Sequence, residues 1–108
     1  MSGPSGTPRP TGGAEASPPL LERYLRLTHE ALELVRPGVP ARSFLRGGSE
    51  DVLAMARAYL ADAEHFRASG DRERALAAVS YAHGWLDAGV RLGLLDGQDD
   101  AARFTLFR

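Results

Sequence analysis

Ser80, His83 and Asp87 lie three and four residues apart, so on a helix their side chains can be neighbours. These are the residue types of a nucleophilic triad, in which a base activates a hydroxyl and a carboxylate orients the base. Such chemistry also needs an oxyanion hole and a substrate cleft. The regular interior of a helix has no free backbone N–H groups for the hole, and Ser80 falls on a strip expected to face solvent. No catalytic residue is therefore expected. The alternative is structural. His83 borders an apolar face, and Asp87 one turn on can accept its hydrogen bond while pairing with Arg91. Asp62, on the preceding helical segment, should be level with the middle of this one. It could reach the Tyr81 hydroxyl, the His83 ring or the Trp85 indole N–H. A network of that kind usually sets helix register. The competing reading is a small-ligand pocket around Asp62, His83 and Asp87.

Other chemistries are excluded or weakened by composition. The 108 residues contain no cysteine, which removes disulfides, thiolate metal sites and cysteine nucleophiles. All thirteen basic residues are arginine, so Schiff-base lysines and a phosphate-loop lysine are absent. The missing lysine, isoleucine and asparagine fit a GC-rich genome. His29, His65 and His83 fall on three different helical segments, the first two on expected solvent faces, and no His-x-x-x-His or Glu-x-x-His pair exists. Neither a metal nor a cofactor is expected. A net charge of −1 gives no basis for nucleic-acid or anionic-membrane binding.

Three amphipathic helices position these residues. Residues 1–17, rich in Gly, Pro, Ser and Thr, are expected to form a disordered tail. The first helix is expected over 18–36, capped by Ser17 and ended by Pro37-Gly38. Its stripe is Leu20, Tyr24, Leu27, Ala31, Leu34 and Val35, with Leu21, Leu25 and Leu32 to one side. A connection over 37–48 should tuck Phe44 and Leu45 onto the core. The second helix, 50–69, takes Ser49 as cap and Val52, Met55, Ala56, Tyr59, Ala63 and Phe66 as its apolar face, and Gly70 should end it in the left-handed region. Asp71 then caps a third helix over 72–94, antiparallel to the second because the link is so short. The fold class is all-α: an antiparallel up-and-down three-helix bundle over 18–97, with a C-terminal extension, 98–108. Gly84, Gly89 and Gly93 in the third helix suggest close backbone approach, since each glycine inside a helix costs about 1 kcal/mol against alanine.

The segment from Tyr59 to Phe66, the Gly70-Asp71 link, and the run Tyr81-Ala82-His83-Gly84-Trp85-Leu86-Asp87-Ala88-Gly89 together resemble the archaeal domain of unknown function family number 357. The resemblance covers about half of the chain. It implies a small three-helix bundle and an archaeal source, and it marks Tyr59, Asp62, Tyr81, His83, Trp85 and Asp87 as the characteristic positions. The family carries no assigned activity, so it implies no catalytic role.

A second stripe on the third helix, Tyr81, Trp85 and Leu92 with Ala78, should pack on the surplus leucines of the first helix. Failing that, it is a surface for self-association or for another protein. In the strand-like alternation of residues 103–108, Phe104 and Leu106 should dock on the bundle; failing that, the Phe104–Phe107 segment binds a partner. The expected function is a non-enzymatic protein-interaction or scaffold module, as a monomer or homodimer. No run of about 18 apolar residues is present, so a soluble cytoplasmic protein is expected.

Overall fold

The computed structural model describes residues 13–98, and their side chains from residue 20 onward. Three helices make up the fold: α1 over Gly13–Leu34, α2 over Arg46–Ala68 and α3 over Arg72–Arg91. They run up, down and up, with α3 packed against both others. The all-α three-helix bundle expected from the periodicity is what forms.

Boundaries differ from the expected ones for local reasons. α1 starts at Gly13, so 13–17 are helical where a tail was expected; residues 1–12 lie outside the described residues. Ala14, Glu15 and Ala16 have the propensity to carry a helix into the Pro18-Pro19 pair. α2 starts a turn before the expected Ser49 cap. Its N-cap is Leu45, which supplies no side-chain hydrogen bond, while Ser49 is fully buried inside the helix. The hairpin turn is as expected. Gly70 has φ +85°, and Asp71 caps α3 by accepting the Arg74 backbone N–H at 3.1 Å. α3 stops at Arg91, and Gly93 turns the chain out of it at φ +78°.

After that turn, two short strands close the far end of the bundle. β1, Arg36–Pro37, pairs antiparallel with β2, Leu95–Asp96, with Pro37 opposite Leu95. The Gly38 N–H donates to the Leu94 carbonyl at 2.8 Å, and the Gln98 side-chain amide donates to the Leu34 carbonyl at 3.3 Å. The Arg36 guanidinium donates to the carbonyls of Glu33 and Val35 at 3.0 and 2.9 Å, satisfying the exposed end of α1. This clasp joins the ends of α1 and α3 and was not foreseen.

Two apolar clusters form the core. Leu21, Leu25, Leu60, Ala63, Ala75 and Val79 fill the hairpin end, and Ala31, Val35, Val52, Leu53, Leu86 and Leu95 fill the clasp end. The buried line of α1 is Leu21, Leu25, Thr28, Ala31 and Val35, one residue round from the expected stripe. α2 is rotated similarly: Leu53 and Leu60 are buried and Met55 is half out. Phe44, expected to tuck in, is 92% exposed, and Leu45 is exposed beside it. Their place at the clasp end is taken by Leu95, which is 2% exposed.

Candidate functional site

Between the two apolar clusters, in chain order on both α1 and α3, sits a buried polar contact. Thr28 Oγ1 and His83 Nδ1 are hydrogen-bonded at 3.0 Å, and both residues are fully buried. On the other side of the imidazole, Nε2 lies 3.9 Å from Asp87 Oδ1, one turn along α3. That is too long for a hydrogen bond. The expected His83–Asp87 hydrogen bond is therefore replaced by one between helices, and Asp87 Oδ1 is buried without a hydrogen-bond partner. Burial pushes the Asp87 carboxyl up to about 6, and the Arg91 guanidinium pulls the other way.

The third triad candidate is directed elsewhere. The Ser80 hydroxyl donates to the Leu76 carbonyl at 2.8 Å, within its own helix. Its position on α3 is opposite the core, whereas His83 faces α1. Asp62 is exposed on α2 and makes no hydrogen bond or ion pair among the described residues. His83 and Asp87 are thus neighbours at the core, whereas Ser80 and Tyr81 belong to the outer side of α3. His29 is exposed, and its Nε2 is hydrogen-bonded to Glu64 of α2.

What the structure does gather is apolar. An open groove of about 630 Å³ runs along the outer face of α3, lined by Ala77, Ser80, Tyr81, Gly84, Trp85 and Ala88. The floor is made of small side chains, and a Cβ built on Gly84 meets nothing within 4 Å. Tyr81 is 63% exposed and Trp85 37% exposed, with Leu92 exposed further along the helix. The Tyr81 ring stacks on Tyr59 of α2 with centroids 5.3 Å apart, which holds it upright at the groove edge. Of the stripe expected to pack on α1, Ala78 is buried in the cluster that holds Leu21 and Leu25, whereas Tyr81, Trp85 and Leu92 stay exposed. α3 turns its Ala75, Val79, Ala82 and Leu86 line inward, and the aromatic stripe points away from the core. The sequence carried a signal for this groove: Ala77, Tyr81, Gly84 and Ala88 recur at helical spacing opposite the buried line. Thr28, missed in the reading of α1, sits at a core position of that helix between Leu25 and Ala31.

The family described as protein of unknown function DUF357 matches residues 23–95. The chain belongs to this family. No curated protein and no solved structure matches the chain. The matched segment in this DUF357 chain contains the second half of α1, all of α2 and α3, β1 and the first residue of β2, so the Thr28–His83 contact and the α3 groove both lie within it.

Proposed function

We propose that this chain is a non-enzymatic interaction module, and that its working surface is the outer face of α3. One observation carries the reading: the six residues from Ala77 to Ala88 that line the groove are apolar or small, and both large aromatics among them stay in contact with solvent in the folded chain. An exposed aromatic pair over a floor of small side chains suits the apolar face of a partner helix, since small residues let two helix backbones approach closely. Groove length agrees with that partner; residues 77–88 rise by roughly 17 Å at 1.5 Å per residue. No helix among the described residues is long and apolar enough to cross a membrane. A cytoplasmic role in an archaeal cell completes the proposal, in line with the family resemblance and the composition.

The alternative, a ligand or accessory catalytic site around Asp62, His83 and Asp87, has only the raised Asp87 carboxyl in its favour. Asp62 is exposed on α2, and His83 is closed to solvent.

Photocrosslinking tests the proposal. Tyr81 is replaced by p-benzoylphenylalanine in the full chain, expressed in its native cell, with the same replacement at the exposed Arg57 of α2 as control. A discrete intermolecular adduct is expected from position 81 and not from position 57. No adduct at 81, or the same products from both positions, overturns the reading.

A further inference from the structure

We infer that the occupant of the α3 groove is the α3 groove of a second copy, packed antiparallel about a two-fold axis. This rests on the interaction reading above and gives it a partner. The argument is one of self-complementarity. In a two-fold pair the same face supplies both the projection and the hollow, so a residue on one copy meets its counterpart in reversed order. The face of α3 opposite the core runs Ala77, Tyr81, Gly84 and Ala88. Reversed about a point between Tyr81 and Gly84, it sets Ala77 level with Ala88 of the second copy, and Tyr81 level with Gly84 of the second copy. Each exposed tyrosine then faces the one position with no side chain, where open space is already present. Small faces small at both ends, which lets the backbones come close.

The flanks follow from the same symmetry. A two-fold perpendicular to the helices keeps each flank on its own side. Trp85, on the α2 side of the groove, therefore lies beside Trp85 of the second copy, and the exposed Met55 of α2 stands on that same side. Ser80 of each copy closes the opposite edge. Charge agrees at the ends. Glu73 and Arg91 are both exposed, and both lie on the Ser80 flank. In this register Glu73 of each copy falls next to Arg91 of the other, one step apart in level. Among the described residues Glu73 has no ion-pair partner in its own chain, so the second copy supplies one. The level pair Arg74 and Arg91 is relieved by Asp71, whose carboxylate is 3.5 Å from the Arg74 guanidinium, and by Asp87. A parallel pair offers none of this, because it sets Tyr81 against Tyr81 and Glu73 against Glu73.

The full chain is tested by sedimentation velocity from about 1 µM to about 500 µM, a range that brackets micromolar association. A concentration-dependent dimer is expected. Gly84→Gln has room in its own chain and fills the hollow for the second copy's tyrosine, so it is expected to sediment as monomer at every concentration with its helical circular dichroism retained. Register is read from cysteine pairs, which are clean because the chain has no native cysteine. Ala77→Cys and Ala88→Cys proteins, mixed under mild oxidation, are expected to give a disulfide-linked heterodimer well above the homodimers formed by either alone. A chain that stays monomeric throughout overturns the inference, as does a dimer unaffected by Gly84→Gln or equal crosslinking in all three mixtures. Loss of the dimer in a full-length Phe104→Ser, Leu106→Ser, Phe107→Ser variant assigns the contact to the C-terminal segment and also overturns it. A photoadduct at position 81 whose mass is not twice that of the chain rejects the second copy while leaving the interaction reading standing. Absence of any adduct rejects both.

Discussion

Asp87 is the residue whose charge state the fold most directly controls. Its carboxyl is held at about 6 against 3.8 in the unfolded chain, because burial favours the neutral form. The protonated acid is thus preferred by the folded state. Its contribution to stability is full below the unfolded value and is lost as pH rises through about 6. Asp87→Asn keeps the shape and removes the charge. We expect this variant to be more stable than the parent at pH 7.5 by about 1 kcal/mol, a discounted figure because the partly wet carboxylate is screened. The gap should close by pH 4. Urea denaturation of both proteins across this range checks it. The Ser80, His83 and Asp87 spacing was legible in the sequence. The true partner of His83 was not. Thr28 is 55 positions away, and only the packing of α1 on α3 brings its hydroxyl to the ring.

Among the elements, α3 carries most of the information, and its glycines divide by role. Gly89 is a point of close approach: a Cβ there would lie 2.7 Å from Leu95 Cδ1 and 3.0 Å from Val52 Cγ1. Gly84 has open space around it. The same substitution should therefore have opposite signs at the two sites. Gly89→Ala is expected to cost about 1–3 kcal/mol through overpacking. Gly84→Ala should add about 0.5–1 kcal/mol by removing a flexible residue from a helix interior, measured at concentrations where the chain is monomeric. Thermal melts of the two variants side by side decide this. The sequence showed that three glycines in one helix require a reason. It treated them as one group, although packing applies to Gly89, a turn to Gly93 and an open groove to Gly84. Helices α1 and α2 illustrate a related limit. Their periodicity was plain, but the centre of each buried face was one position off. Thr28 is a core residue because its hydroxyl has a buried partner in His83, and Met55 is partly exposed although it falls on the apolar stripe.

At the scale of the molecule, the clasp between β1 and β2 decides how the bundle ends. Leu95 enters the clasp-end cluster from β2 and packs against Gly89, while Phe44 stays in solvent. Leu95→Ala is expected to destabilise the chain by about 2–5 kcal/mol, the usual cost of an emptied core leucine site. Phe44→Ala should change stability by less than about 0.5 kcal/mol. Chemical denaturation of the two variants tests which of these apolar residues belongs to the core. The molecule also sets which face of α3 is left over. With α1 and α2 both on the inner side of α3, the Ala77, Gly84 and Ala88 line is left outside the core, and Tyr81 meets α2 only at the groove edge, through its stack on Tyr59.

Local interactions were enough to determine much of this protein. Helical periodicity, the Asp71 cap, the left-handed Gly70 and the short link specify three helices and an antiparallel hairpin, because each depends on residues within about one turn of one another. Contacts between distant segments were decided only by tertiary structure: the rotation of each helix about its axis, the Thr28–His83 bond, the β1–β2 clasp and the outward turn of Tyr81 and Trp85. An amphipathic helix with a wide apolar arc can be rotated by one residue at little cost in hydrophobic burial. The choice then falls to which side chains interlock and which polar atoms find partners across the core, and that becomes known only once all three helices are in place.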